Sequence, residues 1–371
     1  MPAKTIKPPV PMGSYSPKDV TFLLKDISEV MPESSTQDRE EAVQSGTHYS
    51  EMLPIEYQPS KEYINLFHLS LTQYKERLAI AAGVVAEQIL KERGTGAVLV
   101  SLARAGTPIG ILIKRYILFK YQIDIPHYSV SIIRGRGIDE NAMKYIFENH
   151  PPENIQFVDG WTGKGAIKKE LNEAVAHLNE KYGTSISDSM AVLADPGYCV
   201  TIFGTRGDFL IPSACLNSTV SGLLSRTVLN SEYIGPEDYH GAKYYRELAE
   251  EDLSNFFIDT IANQFSLVEK EIERHAEEMP AEEPTWKGMA DIQKIQRDYG
   301  IENINLIKPG VGETTRVLLR RVPWKILVKS ENNPDLGHIR LLAKERNVPV
   351  EIYPDMSYSC CGLIKPMKEE S

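Results

Sequence analysis

The chain has 371 residues, 42% of them hydrophobic and 25% charged, which suits a folded protein of two or three domains and excludes disordered and collagen-like classes. Its 41 Lys and Arg against 51 Asp and Glu leave a net charge of −10, so no global field draws it to nucleic acid or an anionic membrane, and any anion site must be local. The longest apolar stretch, 78–90, is interrupted by Glu87 and falls short of the roughly 20 residues a bilayer span needs, and the polar start lacks the apolar core of a secretory signal; a cytoplasmic location is expected.

Residues 14–19 read as a turn opening a short structured segment, and 36–44 as a charged, solvated helix. From 60 to 93 apolar residues recur at helical spacing (Ile64, Phe67, Leu71, Leu78, Ala82, Val85, Ile89), which predicts one long helix ending at Gly94. Strands are expected at 97–101, 127–133, 154–158 and 190–194, with helices at 108–120, 140–148 and 166–181 between them. This alternation predicts an α/β domain with a mostly parallel sheet covered on both faces. A charged helical stretch at 239–278 and a linker of Pro and Glu at 279–284 follow. Helices at 292–299, 314–321 and 336–345 and strands at 324–328 and 350–353 then predict a second, smaller α/β module. The expected division is 1–235, a helical connection at 236–302, and 303–371.

In an open parallel sheet ligands gather beyond the carboxyl ends of the strands. The segment Asp159-Gly160-Trp161-Thr162-Gly163-Lys164-Gly165 lies at such an end, before a helix whose buried face is Ile167, Leu171, Ala174 and Leu178. Gly160, Gly163 and Gly165 permit close backbone approach, the helix start offers N–H groups, and Thr162 and Lys164 add a hydroxyl and an ammonium; together they have the composition of a phosphate cradle, the alternative being a glycine-rich turn with a solvated lysine. A Walker loop is excluded, because Gly165 follows Lys164 where Ser or Thr is required and Val158 stands where the first glycine belongs. Arg104-Ala105-Gly106 and Arg134-Gly135-Arg136-Gly137 are two further anion-binding candidates, against readings as a helix-opening turn and a solvated basic loop. The four cysteines form neither a disulfide framework nor a zinc pattern. Cys215, with His240 as its base, is a candidate nucleophile; its apolar neighbours Leu210, Ile211 and Leu216 favour an inert buried thiol.

The order of strand, Arg104-Ala105-Gly106-Thr107-Pro108, strand, Arg-Gly loop, strand and Val158-Asp159 resembles the type I phosphoribosyltransferase fold. More closely, Gly13-Ser14-Tyr15-Ser16-Pro17-Lys18-Asp19-Val20, His48-Tyr49-Ser50-Glu51-Met52-Leu53 and 157–167 resemble the phosphoribosyltransferase-like proteins of tellurium-resistance (Ter) stress operons, a family also called cysteine protease StiP. The resemblance covers most of the chain. It implies phosphoribosyl pyrophosphate with Mg2+ as substrate: Asp159 on the ribose hydroxyls and the metal, Gly160 and Thr162 to Gly165 on the 5′-phosphate, Arg104, Ala105 and Gly106 on pyrophosphate, and Arg134 and Arg136 closing over it. Phosphoribose would pass to or from a base or an RNA-linked acceptor. Gly160 stands where such transferases carry a second acidic residue. The other name of the family implies a peptidase acting through Cys215, and a third reading is a non-catalytic phosphosugar or nucleotide sensor.

Gly310-Val311-Gly312-Glu313-Thr314-Thr315-Arg316, Arg320-Arg321 and Val348-Pro349-Val350 resemble the Pelota type of kink-turn RNA-binding fold, with Gly312 in place of its usual Asn. This implies structured RNA as a partner, held through Gly310, Glu313, Arg316, Arg320 and Arg321. The charge pattern agrees, since 308–329 carries six cations against Glu313 alone. The alternative is a module that packs on the first domain or mediates a homo-oligomer.

Overall fold

The computed structural model describes residues 6–365 apart from 36–37, 39–40, 43–44, 57 and 281, so the charged helix expected at 36–44 falls mostly outside the described residues. The first domain is built on a six-stranded sheet: β1 (Thr21–Phe22), β2 (Val98–Leu102), β3 (His127–Val130), β4 (Ile155–Trp161), β5 (Met190–Ala194) and β6 (Ile202–Thr205). Its order is β1-β3-β2-β4-β5-β6 with every neighbour parallel. Strands β2 and β5 are buried at all five residues, as expected of strands covered on both faces. Because β3 returns to one side of β2 and β4 to the other, the chain reverses direction across the sheet between β2 and β4. That switch point opens a crevice beyond their carboxyl ends.

One face carries α1 (Lys61–Arg93), α2 (Gly106–Tyr121), α5 (Ser254–Ala262) and α6 (Phe265–Glu278); the other carries α3 (Glu140–Asn149) and α4 (Ala166–Tyr182). Along α1 the fully buried Phe67, Leu71 and Leu78 recur on one stripe, each worth about 1.5–3 kcal/mol of apolar transfer. From Leu78 to Ala86 only Ile80 is not buried, because the helix lies between the sheet and α6. Gly94 ends it with φ +65 and its N–H bonded to the Leu90 carbonyl.

The second domain starts with α7 (Lys287–Asp298) and continues through β7 (Ile307–Pro309), α8 (Val311–Arg320), β8 (Pro323–Val328), α9 (Gly337–Glu345), β9 (Val350–Ile352) and β10 (Cys360–Ile364). Its sheet runs β7-β10-β8-β9, with β10 antiparallel to β7 and β8, and β9 parallel to β8. Ile292 and Ile295 of α7 pack on Ile307, Leu327 and Leu363. The stretch 236–302 is thus divided, with α5 and α6 in the core of the first domain and α7 in that of the second. The helix read at 239–278 is a shorter affair: 241–242 pair with 25–26 as a strand, and α5 begins only at Ser254, whose N–H bonds the Asp252 carboxylate at 2.9 Å. No helix among the described residues is long and apolar enough to cross a membrane.

Candidate active site in the interdomain crevice

Strand β4 runs two residues beyond Asp159, so the cradle proper is only Thr162 to Gly165. Asp159 accepts its neighbour Gly160 N–H at 2.8 Å, and burial with no cation beside it raises its pKa to about 7. The Thr162 hydroxyl turns inward and donates to Asp195, a fully buried carboxylate that also takes the Cys199 and Val200 N–H groups at 3.0 and 3.1 Å and the Arg206 guanidinium. Lys164 donates to the Ile304 carbonyl at 2.9 Å, and Tyr358 O–H to the Gly163 carbonyl at 3.0 Å. Burial first, then the neighbouring Lys308 and Arg134, lower the Lys164 pKa to about 8. Gly165, at φ +78, is glycine because the Trp286 ring and the Cys199 sulfur lie where a side chain would stand, the ring 2.3 Å from an added Cβ. Gly106 has a similar reason: its Cβ would fall 2.4 Å from the Val158 carbonyl oxygen, where α2 meets β4.

Beyond these groups lies a cavity of about 270 Å³ lined by Arg134, Asp159, Lys164, Lys308 and Glu313. Of the three anion loops read from sequence, only this one and Arg134 reach it. Arg104 donates to the Leu224 carbonyl at 3.0 Å and lies 3.7 Å from Glu56; Arg136 pairs with Glu51 at 2.7 Å. The N–H groups of Gly135 and Gly137 are bonded by the Glu170 carboxylate at 2.8 and 2.9 Å. Among the described residues no three His, Cys, Asp or Glu side chains converge on a metal position, and Asp159 is flanked by Gly160 rather than a second acid, so β4 offers the expected magnesium a single carboxylate.

Asp159 has a measurable consequence. A carboxylate whose folded pKa is raised from 3.8 to about 7 favours the fold when neutral, and that contribution is lost as pH climbs through this window. Asp159→Asn, uncharged throughout, is therefore expected to match the parent in thermal midpoint near pH 4 and to exceed it by pH 8. Equal midpoints at pH 8 would show the carboxylate to be well solvated or paired.

Cys215 closes a 3-10 turn, Pro212–Cys215, and is fully buried, which pushes its thiol up to about 12. Its other influences, Arg316, Arg320 and a hydrogen bond with Ser70, all act the opposite way and favour thiolate. Cys199 is also raised to about 12, by burial and then by the Asp195 carboxylate, which opposes a second negative charge. His240, expected as the base for Cys215, instead bonds Ser131 at 2.8 Å and lines a different cavity beside Asp139 and Glu140. No imidazole among the described residues hydrogen-bonds a cysteine sulfur; His68, two residues from Ser70, lies on the opposite, exposed side of α1.

The basic face of α8 is turned against the first domain. Asp208 receives the Val311 and Ser359 N–H groups at 2.8 and 2.7 Å, and a Cβ on Gly310 would lie 3.2 Å from its carboxylate. Arg316 donates to the Ala214 carbonyl at 3.2 Å and pairs with Glu313 at 3.0 Å; Arg320 donates to Tyr63 O–H at 2.8 Å. Arg321 alone of the expected RNA contacts is exposed. Four of the five expected RNA contacts thus meet the first domain or line the crevice, the packing that the sequence left as the alternative. Sequence reading missed Asp195 and Asp208, and counted Lys308 among the RNA-facing cations rather than as a wall of this cavity. Asp195 had a signal, an Asp-Pro-Gly turn directly after an all-apolar strand.

The architecture is that of a two-domain α/β protein in which a cysteine turn and a polar cavity share the crevice between a parallel sheet and a small C-terminal sheet. Residues 13–262 match the family described as tellurite-like stress resistance cysteine protease StiP, and 286–366 match the PELOTA RNA binding domain. A relative from Acinetobacter baylyi, cysteine protease StiP, is 35% identical over 374 residues, covering 96% of this chain and 94% of its own. The chain belongs to the StiP family. A solved alpha-aminoadipate aminotransferase, LysN from Thermus thermophilus, aligns over 94% of this chain and 87% of its own at 12% identity; its TM-score of 0.19 is too low to bear on the fold. The membership corrects the expectation of phosphoribosyl transfer, since both the family and the relative are named as cysteine proteases. The physical counterpart is that Thr162 and Arg104, expected on phosphates, and Arg136, expected to close over them, are engaged by the chain's own Asp195, Leu224, Glu56 and Glu51, while Glu170 holds the loop's hinges Gly135 and Gly137.

Proposed function

We propose that the chain hydrolyses peptide bonds with Cys215 as nucleophile. What supports this is the family match, which spans Cys199 and Cys215, together with their surroundings: Arg316, Arg320 and Ser70 favour the Cys215 thiolate against burial, whereas at Cys199 the Asp195 carboxylate adds to burial in opposing it, with Thr162, Arg206 and Lys168 acting the other way. In the docked state two guanidinium groups of α8 and the Ser70 hydroxyl favour the Cys215 thiolate, while burial opposes it more strongly. Ala214, next to the thiol, lines a narrow cavity that shares Trp161, Thr162, Pro309 and Glu313 with the larger one. A peptide bound along this crevice would present an anionic group to Arg134, Lys164 and Lys308. An irreversible thiol-directed peptide probe is expected to label Cys215 at one equivalent as casein hydrolysis by the full chain falls to zero. Inactivation with the label on another cysteine would remove Cys215 from the role.

A further inference from the structure

The proposed nucleophile is shut in. Beside Ala214 the crevice narrows to about 20 Å³, room for about one water molecule and for no peptide. The Cys215 thiol itself meets Ser70 of α1, and the second domain closes the crevice over the turn that carries it. Val311 and Ser359 hold Asp208 through their N–H groups, and Ser359 also donates its hydroxyl to the Asp208 carbonyl at 2.7 Å. Arg316 and Arg320 reach across to Ala214 and Tyr63, and on the rim Asp335 takes Arg77 at 2.9 Å and Tyr74 at 3.0 Å. Val311, Leu318, Leu336 and Ile339 join the same apolar core as Phe209 and Ile211, so the closed arrangement is the resting one.

The surface used for this closure is the one whose chemistry suits RNA. It combines the cations of α8 with backbone N–H groups at the helix start, in a domain matched to an RNA-binding description. The Asp208 carboxylate sits at that helix start, where a phosphate would otherwise be drawn. We propose that the C-terminal domain is a lid docked through its own RNA-competent face, so that RNA binding at that face and closure over Cys215 exclude one another. An RNA then opens the thiol by the amount it prefers the undocked state, and a substrate bound at Cys215 strengthens RNA binding in return. That this regulates peptide hydrolysis rests on the function proposed above; the exclusion itself does not.

Native-state alkylation of the full chain with iodoacetamide, resolved by cysteine in a mass spectrometer across sub-denaturing urea, tests it on the unmodified protein. Cys215 is expected to react through an opening whose urea slope is well below that of global unfolding followed by circular dichroism. Saturating bulged-stem RNA should accelerate that reaction, and Asp335→Ala, which removes the rim pair, should accelerate it about fivefold without RNA. Labelling of Cys215 only with global unfolding overturns the lid. So does RNA that binds without changing the rate, or no RNA binding by either protein. Because alkylation needs no catalysis, the two proposals fail separately. An exposed Cys215 in a protein without peptidase activity keeps the lid and removes the peptidase; Cys215-dependent hydrolysis with labelling only on global unfolding does the reverse.

Discussion

Cys215→Ala is expected to lower peptide hydrolysis by at least about a thousandfold, the loss seen when a covalent nucleophile is deleted, while Cys199→Ala keeps activity within the range set by its stability. The contrast matters because the two thiols are equally buried and both raised to about 12. Only their charged surroundings differ. Cys199 packs beneath Gly165 and Gly197, so its removal leaves a small void and a modest stability loss, readable as a lower thermal midpoint with an unchanged specific activity at low temperature. Arg316→Ala removes both a cation favouring thiolate and a contact that holds the second domain closed: an upward limb of the rate-against-pH profile shifted to higher pH reads the first effect, and faster alkylation of Cys215 reads the second. Full activity in Cys215→Ala would end the assignment.

Asp195→Ala should cost about 3–5 kcal/mol of folding stability at neutral pH, read from urea unfolding, because it strips the buried carboxylate on which four donors converge and leaves Arg206 the more exposed Glu282 at 3.6 Å. Arg206 stacks on Phe203 with its guanidinium carbon 3.7 Å from the ring centroid, so it stays buried when its partner goes. The Thr162 hydroxyl and the Cys199 and Val200 N–H groups lose their acceptor together. The turn 195–200 and the cradle 162–165 are tied through this carboxylate and through the Gly197 N–H on the Thr162 hydroxyl at 3.2 Å, and both should show faster amide exchange in the variant. A loss below about 1 kcal/mol would mean that water replaces the carboxylate and that the network is solvated.

The alternation of strand and helix from residue 97 to 194 was legible because each element there carries its own periodicity and is bounded by short turns, and the long helix α1 was legible from its apolar stripe and its glycine cap. Four of the labelled strands were not. Strand β6 is four residues long with a glycine inside, β1 is two residues, β7 is three and ends on Pro309, and β10 opens on Cys360-Cys361-Gly362 after a serine-rich stretch, so none shows the alternation that marks a strand; pairing with long-range neighbours creates them.

The glycines and basic residues of the loops were correctly placed at strand ends, and their chemistry was fair ground for expecting phosphate. Composition cannot say whether the partner of a donor is a ligand or another part of the chain. Lys164, Arg104, Gly135, Arg316 and Arg320 are answered by Ile304, Leu224, Glu170, Ala214 and Tyr63, four of them more than 100 positions away and Glu170 at 35. The sequence alone determined the two α/β domains, their linker and the local charge of the crevice walls, all consequences of near neighbours along the chain. Only the tertiary structure decided that these two walls close on each other over the turn that carries Cys215. That outcome depends on Asp195, Asp208 and Asp335, whose meaning comes from what long-range packing puts beside them.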